Sequence, residues 1–145
     1  MSDFGFKMSK EGKSVLTADE KDLDFNSNRP LLKKKMKGIA SVEVTESNYD
    51  EMEASLDVSI TITHSLGYKP RVFAKMKGGS GAEGSDEGFF GSIPFHTGSA
   101  GGLINYGAGY TQGENTLVLW ANGRGWPDIT IGEYINFKYE IFYNT

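Results

Sequence analysis

The chain predicts an all-β fold, a jelly-roll-like β-sandwich. Three observations carry that expectation. Apolar residues recur at every second position in several runs, which puts alternate side chains on one face of a strand. The breaks between runs are rich in Gly, Pro and Asn, the residues of turns. No window of about 11 residues carries a 3.6-residue apolar period. Its 145 residues fit one domain, and 9 Phe and 7 Tyr can furnish a core. Short strands joined by glycine-rich loops favour two packed sheets.

Residues 1–30 are expected to form an N-terminal arm or peripheral strands, and residues 31–145 the sandwich. The arm is polar, with isolated apolar anchors at Phe4, Phe6, Val15, Leu16, Leu23 and Phe25. Ala40, Val42 and Val44 alternate as a first strand of the sandwich. Ser47–Ala54 is the best helix candidate, though short and mostly acidic. Ala54, Leu56, Val58, Ile60 and Ile62 then mark a long half-buried strand. The turn Ser65-Leu66-Gly67-Tyr68-Lys69-Pro70 separates it from Arg71–Lys77, where Val72, Ala74 and Met76 share a face. Gly67 can supply a positive φ there, Pro70 fixes entry to the next strand, and His64 can tie the turn by hydrogen bonding. All three roles are structural.

Glycine concentrates between Gly78 and Gly132. Gly78–Gly88 is acidic and lacks aromatics, so it is expected to be mobile and dispensable for folding. Phe89–Phe95 reads as one strand. Thr97–Gly113 reads as a long loop, packed through Leu103, Ile104, Tyr106 and Tyr110. The nearly continuous apolar run Thr116–Ala121 suits a central strand buried on both faces. Asn122-Gly123 is a favoured tight-turn pair, extended into a loop by Trp126-Pro127-Asp128. In the last strand Ile135, Phe137, Tyr139, Ile141 and Tyr143 alternate with Tyr134, Asn136, Lys138, Glu140 and Phe142.

Charge is uneven within a net of −4. Arg29, Lys33, Lys34, Lys35 and Lys37 form a basic cluster, and Glu43, Glu46, Asp50, Glu51, Glu53 and Asp57 follow without an intervening Lys or Arg. Two solvated strands pairing across a sheet would explain this, since opposite charges there help modestly. A basic patch for an acidic partner is the sharper reading. The acidic balance and the lack of interleaved aromatics in the cluster argue against nucleic acid.

Several chemistries lack their residues. There is no Cys, which removes disulfides, thiolate metal sites and thiol nucleophiles. His64 and His96 are the only imidazoles, without the spacing of a zinc site. Gly79-Ser80-Gly81-Ala82-Glu83-Gly84 matches G-x-G-x-x-G, but the acidic Ser85-Asp86-Glu87-Gly88 is a poor helix start and would repel phosphate. Asp22, Asp24, Asn26 and Asn28 resemble the opening of a calcium loop, yet Ser27 and Lys33 occupy the places of its Gly and Glu. No G-x-S-x-G elbow occurs. The expectation is therefore a non-enzyme with no cofactor and no metal. No apolar run reaches about 18 residues, so no membrane-spanning helix is expected, and Met1–Gly5 does not open a signal peptide.

Aromatic rings at loop tips can stack on sugars or fill partner pockets, which makes Trp126, Tyr106 and Tyr110 the ligand-binding candidates. Trp126, between Gly125 and Pro127, is expected to be exposed. Trp120 lies in the apolar run and is expected in the core.

Two stretches resemble a known family when taken together. The first is Asp3-Phe4-Gly5-Phe6-Lys7-Met8-Ser9-Lys10-Glu11-Gly12, continued by Val15-Leu16-Thr17-Ala18 and Leu23-Asp24-Phe25-Asn26-Ser27. It resembles the "YGxKVSKPG" opening of small tailed-bacteriophage virion proteins of the tail, fibre or capsid-surface type. Glu11 stands where that pattern has Pro. The second, Ile60-Thr61-Ile62-Thr63-His64-Ser65-Leu66-Gly67-Tyr68-Lys69-Pro70-Arg71-Val72, is similar to their "(V/I)xHxLGYxPxV" strand–turn–strand. The closing Tyr139-Glu140-Ile141-Phe142-Tyr143 suits their aromatic last strand, whereas the Gly-rich middle is unmatched. The resemblance implies a non-enzymatic virion component, assembled in the bacterial host cytoplasm, that associates with itself and with other virion proteins. The alternative is a carbohydrate- or receptor-binding module that reads a host surface glycan through its exposed aromatics.

Overall fold

Period-2 alternation sends the long apolar runs into two antiparallel sheets that share one core. The computed structural model describes residues 7–9, 23–26 and 33–143. β1 (Lys7–Ser9) and β2 (Leu23–Asn26) pair with each other in a sheet of their own. Phe4, Phe6, Val15 and Leu16, like Asp22, Asn28 and Arg29, lie outside the described residues.

The strands that follow are β3 (Lys34–Glu43), β4 (Tyr49–Asp50), β5 (Ser55–Thr63), β6 (Arg71–Lys77), β7 (Phe90–Ser92), β8 (Phe95–Gly98), β9 (Asn105–Gln112), β10 (Thr116–Arg124) and β11 (Tyr134–Phe142). One sheet has the order β3-β11-β6-β7 and the other β4-β5-β10-β9-β8. The result is the expected all-β sandwich. A jelly roll is built from two Greek keys; here β8, β9 and β10 follow one another side by side in one sheet.

The core lies where the two inner faces meet. Ala40, Val72, Ala74, Met76, Ile135, Phe137 and Ile141 come from the four-stranded sheet, and Leu56, Val58, Ala108, Leu117, Leu119 and Ala121 from the five-stranded one. Their alternation is the signal read from the sequence, and it fixes register, because a one-residue slip would turn each set to solvent.

Several local expectations are corrected. β10 is central, but only Leu117, Leu119 and Ala121 are fully buried, while Val118 and Trp120 face outward and are half-buried. Asn122-Gly123 is no turn; both residues lie within β10, paired with Gly107 and Tyr106 of β9. Phe89–Phe95 is split rather than continuous. β7 pairs with β6, the chain crosses sheets at the cis Ile93–Pro94 bond, and β8 then pairs with β9. Most of Thr97–Gly113 is strand, leaving residues 99–104 as loop and Gly113 just past the end of β9. Ser47–Ala54 forms turns and the short β4, not a helix.

The Gly78–Gly88 loop is tied down at many points. Gly81 and Tyr134 exchange both backbone bonds (2.9 and 2.7 Å), and the Ser80 amide donates to the Asp128 carbonyl (2.9 Å). Asn136, fully buried in β11, donates through Nδ2 to the Ala82 carbonyl (2.9 Å). Its Oδ1 accepts from the Gly84 amide (3.2 Å) and from Ser41 Oγ (2.5 Å). Asp86 forms an ion pair with Lys138. Composition pointed to mobility because it counts apolar surface; the loop is held by backbone polar groups instead.

Candidate functional site

The three aromatic candidates face inward rather than toward a ligand. Trp126 is 6% exposed, which corrects the expectation of an exposed ring. Its Nε1–H donates to the Asn122 carbonyl (3.3 Å). Its ring lies 4.3 Å from that of Tyr106 and 6.0 Å from that of Phe95, centroid to centroid. The glycine and proline beside it shape a loop that folds back. The Gly125 amide donates to the Glu53 carbonyl (3.2 Å) and the Trp126 amide to the Ala54 carbonyl (3.1 Å). Tyr106 and Tyr110 lie opposite Gly123 and Leu119 of β10, on the core side with Ala108, and are half-buried. Trp120 is the outward-facing tryptophan, its ring laid over Gly109.

The turn residues sit on the β9–β10 hairpin. His64 is 2% exposed. Its Nδ1 accepts the Leu66 amide (3.2 Å), which leaves Nε2–H to donate to the Gly113 carbonyl (3.2 Å). The Asn115 carbonyl accepts the His64 and Ser65 amides, and Asn115 Oδ1 accepts that of Gly67. Gly67 has φ +77°, and Pro70 is buried at the entry to β6. His64→Ala removes two bonds from a closed network, so stability should fall by about 1–3 kcal/mol with self-association unchanged. Thermal melting and light scattering on the same sample check both halves; lost association at an unchanged melting temperature would make His64 a site residue. His96 is exposed, bonded through Nε2 to Asn105 Oδ1 (2.6 Å).

The structure draws attention to another place, the outer face of the four-stranded sheet. β6 turns Val72, Ala74 and Met76 inward, so Arg71, Phe73, Lys75 and Lys77 face out. The neighbouring β11 contributes Lys138 and Glu140, and β3 contributes Lys34, Lys37 and Ile39. A cavity of about 850 Å³ lies at this part of the sheet, lined on the outer side by Lys37, Ile39, Phe73, Lys75, Asp86, Lys138 and Glu140 and on the core side by Val72, Ala74, Ile93, Tyr139 and Tyr110. Tyr110 reaches its wall, the one ligand-binding candidate to do so. Phe73 is 54% exposed; its ring meets Phe142 edge-on at 5.4 Å.

The cations are only partly neutralised in place. Lys75 and Lys138 are directly opposed across β6 and β11, a like-charge pairing that costs stability. Lys138 is relieved by Asp86 and lies over the Phe90 ring (4.8 Å). Lys34 pairs with Glu140 (3.1 Å). Among the described residues, Lys37 and Lys75 have no ion-pair partner. Such ammonium groups bind carboxylates, and Phe73 offers an apolar anchor between them.

The acidic run lies elsewhere. β3 pairs with β11 alone, whereas β4 and β5 belong to the other sheet, so the basic and acidic stretches do not pair across a sheet. Asp50, Glu51, Met52 and Glu53 form an exposed turn. The buried Tyr49 beside them has its phenol pKa raised, by burial first and then by Glu51 and Asp50.

Phe73 and Met52 were missed by sequence reasoning. The signal for Phe73 was present: the alternation that buries Val72 and Ala74 places a phenylalanine among Arg71, Lys75 and Lys77 on the solvent face. No family model matches the chain, and no curated protein or solved structure does either.

Proposed function

We propose that this chain is a non-enzymatic structural component of a tailed-phage particle, a tail, fibre or capsid-surface protein. It works by associating with itself and by docking on neighbouring virion proteins. The observation that carries this reading is Phe73, half-exposed on the outer sheet face, with Lys37 and Lys75 beside it and Arg71 on the same face of β6. An apolar anchor within a charged rim is the anatomy of a protein docking face. The resembling segment Ile60–Val72 fits the same picture as scaffold, since it is the β5–turn–β6 crossover that joins the two sheets.

Immunogold labelling tests the reading in a culture that makes particles and carries this gene. Gold is expected on assembled particles. Label confined to free protein overturns the virion assignment, whatever the chain does in solution.

A further inference from the structure

We infer that the acidic end of one copy docks in the cationic concavity of a second copy, a head-to-tail contact. The inference rests on the self-association reading and names its two surfaces.

The inserted part is the turn Asp50-Glu51-Met52-Glu53. Met52 is 97% exposed, the most exposed of the large apolar side chains in the described residues, with an acid on either side. The turn is held in shape. The Met52 amide donates to Asp50 Oδ1 (2.9 Å), and the following residues are bonded to the Trp126 loop through Glu53 and Ala54. Its tip therefore needs little ordering when it meets a partner. The same end of the sandwich carries Leu103 (76% exposed) and Ile104 (41%), which lie against Gly125, the residue bonded to Glu53.

The receiving part is the concavity around Phe73. Its cations Lys37 and Lys75 match Glu51 and Glu53 in charge, and Phe73 and Ile39 match Met52 in polarity. Thioether sulfur packs well on aromatic rings. Lys138, opposite Lys75, is already paired with Asp86, so an inserted carboxylate would meet Lys75 and Lys37.

The two surfaces differ, one an edge of the five-stranded sheet and the other the face of the four-stranded sheet. A contact between unlike surfaces leaves each copy with one free end of each kind. It propagates into a ring if the rotation closes, and into a filament if it does not.

Charge exchange tests this with the full chain. Wild type is run by sedimentation velocity from micromolar to millimolar concentration, at low and at high salt. It should associate, and less so in high salt, where exposed charges are screened. Lys37→Glu/Lys75→Glu and Glu51→Lys/Glu53→Lys should each be monomeric while melting cooperatively near wild type. Mixing the two variants should restore association, because each then offers a complement to the other. Double variants that each associate as well as wild type overturn the head-to-tail contact and leave self-association standing. A wild type that is monomeric throughout overturns both. Met52→Gln gives an independent reading, since it leaves both sets of charges unchanged and removes only the apolar tip; it should also abolish association.

Discussion

Gly123→Ala should lower stability by about 2–5 kcal/mol and the melting temperature by roughly 10–15 °C. Two effects add. Gly123 has φ +108°, a conformation L side chains rarely adopt. A Cβ built there would stand 2.2 Å from the Asn105 carbonyl oxygen and 2.5 Å from the Tyr106 Cα. Both are backbone atoms of the paired strand β9, so neither can swing aside. Relief would require β9 to separate from β10 next to Tyr106, whose ring packs on Trp126. Gly132→Ala is the matched control. Gly132 has φ +94° but nothing within 4 Å of its added Cβ, so it carries the conformational cost without the clash. Equal melting temperatures for the two variants would refute the close-approach argument. In a domain of ordinary marginal stability the difference is a large share of the total.

The same residue shows where the sequence was legible and where it was not. Asn-Gly after an apolar run signals a hairpin, because glycine tolerates positive φ. Glycine is equally needed where a second backbone comes close inside a sheet, and composition cannot tell the two apart. Strand existence was legible from period-2 runs, since Leu56–Val58, Val72–Met76 and Ile135–Ile141 each bury one face. Pairing was not, because it depends on which edge a strand finds. The basic and acidic stretches are adjacent in sequence, yet beyond Glu43, the last residue of β3, the acidic strand residues Asp50 and Asp57 lie in the other sheet. Trp120 and Trp126 were exchanged for a related reason. An apolar run looked like core but turns Trp120 to the outward face of β10, and a Gly-Pro context looked like a tip but folded back under the Glu53–Ala54 carbonyls. The concavity joins three strands far apart in sequence, so only Phe73 within β6 could have hinted at it.

Replacing Ser80–Asp86 with a short Gly-Ser link should lower stability by about 3–5 kcal/mol, at about 1 kcal/mol for each hydrogen bond removed. Apolar content alone would make this loop expendable; its bonds say otherwise. Excision removes the Ser80–Asp128 bond, the reciprocal Gly81–Tyr134 pair and the Ala82 and Gly84 contacts to Asn136. It also strips the cover from Asn136, an amide buried on the outward side of β11. Asn136→Ala separates the latch from the rest of the loop. That substitution keeps the Gly81–Tyr134 bridge but removes the acceptor for Ser41 and the donor for Ala82. It should cost about 1–3 kcal/mol, less than excision, because the Gly84 amide keeps its bond to Ser41 Oγ (2.9 Å). Hydrogen exchange gives a reading at single residues. In wild type the Gly81 and Tyr134 amides should exchange slowly, as expected for bonds that open only with the sheet. In Asn136→Ala the Gly84 amide should speed up while that of Tyr134 stays slow. A link variant that melts at the wild-type temperature, or Gly81 exchanging at the rate of an open chain, would mean these bonds do not hold the loop. It would return the loop to the dispensable segment its composition suggests.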